Sequence, residues 1–252
     1  MTEEKLAVVL VEPQGARNIG SVCRAMLNFG FTDLRLVNPQ VDHLSHAARQ
    51  MAVKATGVLE NARIFNSLAS ALSDCVLSFG TTRRFGRYRE DLVHPEEAAQ
   101  LLVPAMQTGS VALVFGREDK GLFTSELDLC QYFITIPTND ELPSMNLAQA
   151  VVLCLYEVNR ARGKLAGLKH GRKKLATNNQ LEALYQHMRD SLVNIGYLNP
   201  QNPDHILRSF RRILGRSALN DREVRILRGL FNQIDLYSGR KQTRRGAASN
   251  GE

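Results

Sequence analysis

The 252-residue sequence contains no tryptophan, and aromatic residues make up only 6% of it. Cysteines are few and scattered, with no Cys-x-x-Cys pair: Cys23, Cys75, Cys130 and Cys154. This distribution argues against both a disulfide framework and a zinc site. His43 and His46 lie three residues apart, but no further His or Cys follows nearby to complete a set of metal ligands. We therefore expect reduced, mostly buried thiols and no bound metal.

Long hydrophobic runs are also missing, since none approaches the roughly 20 residues that a membrane-spanning helix needs. The opening MTEEKLAVVLVEP has acidic residues where a signal peptide has a basic region. We expect no membrane segment and a cytosolic protein. Hydrophobic residues at 44% and charged residues at 23% are ordinary for globular proteins. The length predicts one large domain, or one domain with a small appendage.

Positive charge is concentrated toward the carboxyl terminus, within a chain whose net charge is +7. Residues 163–252 contain 17 Lys and Arg against 7 Asp and Glu, whereas residues 1–162 contain 15 against 18. A basic stretch confined to one segment is typical of proteins that bind a polyanion, because cations that meet phosphates release condensed counterions. The alternative is a helix face that is merely solvated.

The first 162 residues alternate short apolar runs with helical patterns. The runs predict five strands, at residues 6–12, 34–38, 76–81, 111–116 and 132–137. The helical patterns cover residues 18–29, 45–56, 95–105 and 145–162. Near-continuous apolar strands are typical of a sheet covered on both faces. The sequence therefore predicts an α/β domain over residues 1–162, with a parallel sheet between helix layers.

The remainder of the chain has a different pattern. Residues 163–177 combine three glycines with five basic residues and lack sustained apolar periodicity, which is typical of a linker. Three helices are predicted beyond it, at residues 178–195, 203–214 and 221–237. Capping-box spacing at Thr177 with Gln180, and at Asn220 with Glu223, supports two of these starts. We expect a small helical extension over 178–238, followed by a disordered tail over 239–252.

Two polar segments follow predicted strands in the first domain. Asn18 is placed to cap the first helix, Gly20 permits close backbone approach, and Arg24 supplies a fixed cation near the strand ends. In VFGREDKGL, Gly116 and Gly121 bracket an acidic residue, so the backbone can turn sharply beside a ligand. The chain lacks the Lys-Ser/Thr of a phosphate-binding P-loop and the G-x-G-x-x-G of a dinucleotide site. ATP and nicotinamide dinucleotides are therefore disfavoured.

A third segment, IPTNDELPSMNLAQAV, passes from a strand that ends at Pro137 through a polar loop into a helix. Ser144 and Asn146 lie where that helix starts, which by itself is also the pattern of an ordinary capped helix.

Taken together and in this order, the three segments resemble the SPOUT superfamily of S-adenosylmethionine-dependent RNA methyltransferases. The motifs N-x-G-x-x-x-R-A, F-G-x-E-x-x-G-L and I-P…S-x-N-L occur together, and the resemblance covers residues 6–162. It implies an α/β fold with a deep C-terminal trefoil knot and a homodimer formed through the knot region. No pattern rule predicts a knot, since threaded chains are rare. Within the superfamily the chain looks most like bacterial TrmJ-type tRNA 2′-O-methyltransferases, which modify nucleotide 32 of the anticodon loop.

The resemblance also implies site residues. Its cofactor contacts for S-adenosylmethionine fall on Thr81, Thr82, Arg83, Gly116, Ile136, Pro143, Ser144 and Met145. Pro143 departs from the family, in which Ser is frequent, so no hydroxyl contact is expected there. The catalytic candidates are Asn18, Arg24 and Ser144.

Arg24 has the proton-accepting role in family accounts, but a guanidinium with a pKa above about 12 is a poor base at neutral pH. Our hypothesis is that Arg24 anchors the adjacent phosphate and stabilises the developing alkoxide. A phosphate oxygen or a water molecule then takes the proton.

RNA contacts are predicted in two places. Arginines interleaved with Phe85 and Tyr88 suit a splayed single-stranded loop, and they are Arg84, Arg87 and Arg89. In the extension, three arginines share a helical face: Arg208, Arg211 and Arg212. A merely soluble loop is the alternative for the first group. For the whole chain, the alternatives are ribose methylation of ribosomal RNA and an RNA-binding module that lacks activity.

Overall fold

The structure is a computed structural model that describes residues 5–83, 92–165 and 175–248, the last stretch with side chains as far as Gly239. The chain divides into two compact units, residues 1–173 and residues 174–252. The predicted RNA contacts Arg84, Arg87 and Arg89 lie outside the described residues.

The first unit is built on a parallel sheet of seven strands with the order β3-β2-β1-β6-β4-β7-β5. The strands are β1 (Leu6–Val11), β2 (Asp33–Val37), β3 (Arg63–Phe65), β4 (Cys75–Thr81), β5 (Leu92–Val93), β6 (Ser110–Phe115) and β7 (Tyr132–Ile134). All six residues of β1 are buried, which is why this strand reads as a continuous apolar run in the sequence.

Seven helices belong to the described part of this unit. They are α1 (Ala16–Asn28), α2 (His46–Ala52), α3 (Thr56–Glu60), α4 (Leu68–Leu72), α5 (Pro95–Ala105), α6 (Thr124–Leu127) and α7 (Leu147–Leu165). The predicted parallel sheet with flanking helices is confirmed. Each of the five predicted strands is present, with ends shifted by at most three residues.

Two short strands and three short helices escaped prediction. β3 and β5 have three and two residues, and α3, α4 and α6 have five, five and four, so none is long enough to establish a periodic pattern. β3 and β5 form the two edges of the sheet. The sheet is therefore wider than the sequence indicates, but its buried centre is the predicted one.

The second predicted helix, 45–56, is wrong at its end. Ser45 caps the helix as expected, because its side chain accepts a hydrogen bond from the Ala48 amide. However, α2 stops at Ala52, since Val53 adopts a positive φ of 54° that a β-branched residue rarely takes. A 3-10 turn over Val53–Ala55 follows, and Gly57 lies inside α3 rather than past the end of a helix.

The four cysteines are free and buried, as predicted. Burial raises the pKa of each thiol to about 12, so all four are protonated at neutral pH. No cluster of three or more potential metal ligands occurs among the described residues. Within the same residues, no helix is both long and apolar enough to cross a membrane.

The second unit consists of α8 (Asn178–Asn194), α9 (Asp204–Arg216) and α10 (Asp221–Ala248). These helices pack around a core that contains Leu184, Tyr185, Met188, Leu207 and Phe231. Both predicted capping boxes are present: the Gln180 amide donates to the Thr177 hydroxyl, and the Glu223 amide donates to the Asn220 side chain. The side chains of Gln180 and Glu223 accept the amides of Thr177 and Asn220 in return.

The limits of the extension differ from those predicted. α7 continues through Leu165, three residues beyond its expected end. Ala176 is buried and donates its amide to the Leu219 carbonyl, so the helical unit begins before residue 178. The expectation of a disordered tail is corrected for residues 239–248, whose backbone continues α10. This stretch lacks proline and is rich in Arg, Lys and Ala, which extend a helix once it has formed. The trefoil knot stays a prediction.

Candidate functional site

A pocket of about 460 Å³ opens beside the carboxyl ends of the central strands. The strands β4, β6 and β7 are parallel neighbours, so the segments that follow them emerge at the same edge of the sheet. Ligands of open α/β sheets bind at this edge. The pocket has the size of a small-molecule site, since such sites commonly span roughly 300–1,000 Å³.

Every position predicted to contact the cofactor lines this pocket. These residues are Thr81, Thr82, Arg83, Gly116, Ile136, Pro143, Ser144 and Met145. They come from three segments that are distant in sequence. The Thr81 hydroxyl donates to the Val114 carbonyl (3.0 Å) and the Thr82 amide donates to the Ile134 carbonyl (2.9 Å). These hydrogen bonds hold the end of β4 against its two neighbours.

The loop from Gly116 to Gly121 forms one wall of the pocket and is a tight backbone turn. Arg117 and Gly121 exchange two backbone hydrogen bonds, of 3.3 and 2.9 Å. Gly121 has a φ of 66°, which favours glycine, and a Cβ added at Gly116 would lie 2.1 Å from the Gly121 carbonyl carbon. The prediction that the two glycines allow a sharp turn is therefore confirmed.

Glu118, at the centre of this turn, ties the loop to the start of α1. Its carboxylate accepts hydrogen bonds from the backbone amides of Gln14 (2.9 Å) and Gly15 (3.0 Å) and from the Asn18 side chain (2.9 Å). The residue at the N-cap of α1 is Gly15, not Asn18, so the predicted capping role of Asn18 is wrong. A glycine N-cap has no side-chain oxygen, and the carboxylate of Glu118 receives amides at this helix start from elsewhere in the chain.

Asn18 also connects to the third segment. Its side-chain oxygen accepts a hydrogen bond from the Asn146 amide group (3.0 Å), and the Asn146 oxygen accepts the Ala148 amide (3.0 Å) at the start of α7. Asn18 thus bridges Glu118 and Asn146, and one hydrogen-bonded chain links all three sequence segments. Ser144, two residues before Asn146, is exposed and lines the pocket.

Arg117 is the buried cation of the site, with a side chain only 5% exposed. Its guanidinium donates to Glu12 (2.7 Å) at the end of β1 and makes a two-pronged pair with Glu126 (3.0 and 2.9 Å) on α6. It also lies 4.1 Å from the centre of the Phe123 ring. The planar fork of arginine suits this arrangement, in which one side chain fixes the Gly116–Gly121 loop to two elements.

Pairing in this cluster shifts the pKa of the cation and the pKa of one of its acidic partners. Hydrogen bonds to Glu126 and then to Glu12 raise the pKa of Arg117 above its ordinary value. A hydrogen bond from Arg117 lowers the pKa of Glu12, and it outweighs the opposing effect of desolvation. Arg117 and Glu12 are therefore charged at neutral pH, and the pairing offsets the cost of burying the guanidinium.

Arg24 lies apart from the pocket. It is exposed on α1, is not among the pocket-lining residues, and forms no hydrogen bond or ion pair with another described residue. Six residues separate it from Asn18, so the two side chains leave the helix roughly a third of a turn apart and about 9 Å apart along its axis. Of the three catalytic candidates, the structure connects Asn18 and Ser144 to the pocket but not Arg24.

The predicted RNA contacts of the extension lie on α9 and are partly engaged. Arg211 makes a two-pronged pair with Glu182 and lies 4.6 Å from the centre of the Tyr185 ring. Arg208 and Arg212 are half-buried and also have partners. The RNA-binding role of all three stays a prediction.

Sequence reasoning missed several residues of the site. Arg117 lies inside the F-G-x-E motif, between two predicted site residues, and is not itself a predicted one. Thr138 lies in the polar loop after β7, and its hydroxyl donates to the Pro143 carbonyl (3.1 Å), which closes that loop beside the pocket. The signal for Arg117 was available, because a cation between two predicted site residues must either face the ligand or be paired.

Two family models match the chain. The first is described as the SpoU rRNA Methylase family and matches residues 5–156. The second is described as the tRNA methyltransferase TrmJ, C-terminal domain, and matches residues 179–248. The two matches fall on the two compact units.

Individual proteins are similar over nearly the whole chain. A relative from Pseudomonas aeruginosa (strain UCBPP-PA14), named tRNA (cytidine/uridine/adenosine-2′-O-)-methyltransferase TrmJ, is 38% identical over 91% of this chain and 93% of its own. A relative from Photorhabdus laumondii, named tRNA (cytidine/uridine-2′-O-)-methyltransferase TrmJ, is 35% identical over 93% of this chain and 98% of its own length. The crystal structure of TrmJ from Z. mobilis ZM4 superposes with a TM-score of 0.77 at 36% identity, and covers 91% of this chain and 98% of that one.

Proposed function

Because the chain belongs to the SpoU rRNA methylase family, we propose that it transfers a methyl group from S-adenosylmethionine to a ribose 2′-hydroxyl of tRNA. The observation that carries this proposal is the hydrogen-bonded chain Glu118–Asn18–Asn146 beside a pocket of about 460 Å³. It brings together the three segments on which the family resemblance depends. The relatives named above are tRNA 2′-O-methyltransferases, which favours tRNA over other RNA.

The pocket residues fit S-adenosylmethionine. The lining alternates apolar side chains, such as Ile136 and Met145, with backbone at Gly116 and hydroxyls at Thr81 and Ser144. An adenine ring requires apolar walls with a few polar groups, and this lining offers both. When bound, the cofactor supplies an electrophilic methyl group on a sulfonium.

The residues around the pocket position the reactants. The Gly116–Gly121 turn, held by Arg117, fixes one wall, and the closed loop from Thr138 to Pro143 fixes another. Such pre-positioning can contribute about 7–11 kcal/mol in well-aligned reactions. Ser144 stands on the rim, where its hydroxyl is free to contact the incoming ribose. Arg24 binds the neighbouring phosphate and stabilises the developing alkoxide, while a phosphate oxygen or water accepts the proton.

We propose a homodimer as the active form. Arg24 is exposed and lies outside the pocket of its own chain, so a second copy that brings its Arg24 to this pocket would complete the site. α7 carries three large apolar side chains on one face, Val152, Leu153 and Tyr156, which are 39%, 40% and 51% exposed. An apolar face of this kind suits a self-complementary contact.

The finer assignments follow from the resemblance. The target is nucleotide 32 of the anticodon loop, and the enzyme works in the cytosol, where tRNA is modified. The basic second unit binds the body of the tRNA through Arg208, Arg211 and Arg212, and the segment with Arg84, Arg87 and Arg89 contacts the loop.

Labelled methyl donor tests the proposal against its rivals. Purified protein is incubated with tritiated S-adenosylmethionine and either tRNA or ribosomal RNA, and the modified nucleotide is mapped by mass spectrometry. We expect label in tRNA as a 2′-O-methyl group at position 32. Label in ribosomal RNA alone would support the rRNA activity that the family description names. Binding of tRNA without uptake of S-adenosylmethionine in a calorimeter would indicate an RNA-binding module that lacks activity.

A further inference from the structure

Helices α1 and α2 form a surface without acidic residues. Neither Ala16–Asn28 nor the segment His46–Ala55, which contains α2 and the following 3-10 turn, includes a single Asp or Glu. This is unusual in a domain whose residues 1–162 contain 18 Asp and Glu against 15 Lys and Arg. This surface is therefore positively charged, whereas residues 1–162 as a whole have a net negative charge.

The two helices are in direct contact. A Cβ added at Gly20 of α1 would lie 2.1 Å from the Ala48 carbonyl oxygen and 2.9 Å from the Met51 Cβ of α2. The 3-10 turn after α2 also packs against α1. Only glycine allows this approach, so the seam between the helices is fixed by the backbone itself.

Cations lie along this seam. Arg17 and Arg24 are three residues before and four residues after Gly20, so they share its face of α1. Lys54 follows Met51 by three residues and lies in the 3-10 turn. All three are exposed, and among the described residues none of their side chains has a hydrogen bond or an ion pair. Arg49 of α2 differs, because it is paired with Glu60 (2.6 Å).

The surface begins next to the pocket. Arg17 directly precedes Asn18, whose side chain is held by Glu118 and Asn146. Arg17 and Arg24 are separated by seven residues, or about 10.5 Å along the helix. The two cations are therefore far enough apart to contact different phosphates of one strand.

We propose that the α1–α2 face, defined by Arg17, Arg24 and Lys54, binds the phosphate backbone of the substrate RNA beside the reacting nucleotide. The inference rests on the proposed function and adds a second polyanion contact, in the unit that holds the pocket. The face has no aromatic side chain in α1, α2 or the 3-10 turn, so it contacts phosphates rather than bases.

The charge also disfavours a two-fold contact in which this face of one copy covers the same face of the other. Such a contact would bring the same cations of both copies together without an acidic partner. The proposed homodimer, in which Arg24 reaches the partner's pocket, is a different arrangement. RNA backbone offers the complementary charge, and binding it releases condensed counterions.

The test is the salt dependence of tRNA binding by the full-length protein. We compare the wild type with Arg17→Gln, Lys54→Gln and the double variant between 50 and 200 mM salt. Each lost phosphate contact should lower the slope of log K against log salt by about 0.7–0.9, and the double variant by about twice that. Arg49→Gln is the matched control, since it removes one positive charge from α2 that already has a partner. Its slope should equal that of the wild type.

Unchanged slopes for Arg17→Gln and Lys54→Gln would overturn the inference, and so would an equal decrease for Arg49→Gln. A change of molecular mass in the double variant, measured by sedimentation, with an unchanged slope would identify a second copy as the occupant and overturn it as well. Methyl transfer is measured separately. If the wild type labels tRNA while the salt slopes of the variants equal that of the wild type, RNA binding by this face is refuted but the proposed function is not. Lower slopes in a protein that labels no RNA would support the face and refute the proposed activity.

Discussion

The two units use the same side-chain arrangement in different surroundings. In the first unit Arg117 forms a two-pronged pair with Glu126 and stacks on Phe123, and in the second unit Arg211 does the same with Glu182 and Tyr185. The Arg117 side chain is 5% exposed and that of Glu126 is 16% exposed. The corresponding values for Arg211 and Glu182 are 22% and 36%.

This difference in exposure changes what the ion pair does. A buried guanidinium that loses its partners leaves charges without compensation, whereas water solvates the groups of a more exposed pair. Arg117 therefore fixes the loop beside the pocket, and Arg211 contributes mainly to the contact between α8 and α9. The same kind of contact is therefore a structural requirement in the first unit and contributes little to stability in the second.

The largest effect is expected on stability, when each of the two arginines is replaced separately by methionine, which keeps the length of the side chain. Arg117→Met should lower the free energy of unfolding by about 3–5 kcal/mol, because Glu12 and Glu126 lose their partner. Arg211→Met should cost about 1 kcal/mol or less. Urea unfolding of the full-length variants measures both values. Equal losses would show that exposure does not separate the two pairs.

Arg24 tests whether the first unit also contains a cation that acts in the reaction but does not stabilise the fold. Arg24 is exposed and has no partner among the described residues, so Arg24→Ala should leave the unfolding midpoint unchanged. Methyl transfer should fall roughly 10²–10³-fold, as when one stabilising donor is removed from a transition state. Single-turnover rates at saturating tRNA check this, and Arg24→Lys should be nearly as slow because lysine lacks the bidentate fork. Near-full turnover of Arg24→Lys would contradict the assignment.

Removing the second unit separates the roles of the two units. A chain that ends after Leu165 keeps the whole of α7 and every residue that lines the pocket. Its affinity for S-adenosylmethionine should match that of the full chain in a calorimeter. Its affinity for tRNA should fall by about 10–100-fold, with a shallower salt dependence, because residues 1–165 contain 16 Lys and Arg against 18 Asp and Glu and have no net positive charge. Equal loss of both affinities would mean that the pocket depends on the second unit.

The smallest effect concerns pH. Arg117 lowers the pKa of Glu12 in the folded protein. The ion pair therefore makes its full contribution to stability at pH values above 4.5, the ordinary pKa of this carboxyl group. That contribution shrinks as the pH falls below 4.5 and disappears below the lowered pKa. Glu12→Gln should therefore be less stable than the wild type at pH 7, by about 1 kcal/mol or less, and equal to it in strong acid. Thermal midpoints across this range measure the difference, and a constant difference at all pH values would exclude the linkage.

The sequence predicts the buried part of the first unit well, because strands such as Leu6–Val11 are apolar throughout and cannot be exposed. It also indicates the sharp turn between Gly116 and Gly121, whereas the other pocket residues come from the resemblance to a known family. It misses contacts between distant segments. The bond from Asn18 to Glu118 spans 100 residues, and the capping of α1 by another segment leaves no local signal. The early end of α2 depends on the strained Val53, which no propensity favours.

The carboxylate of Glu118 also has a consequence for biosynthesis. The amides of Gln14 and Gly15 remain without this acceptor until a residue more than 100 positions later has been translated and has left the ribosome. The first helix of the nascent polypeptide can form earlier, with water bonding these two amides until Glu118 arrives. Assembly of the pocket is consequently a late event in the life of each new molecule.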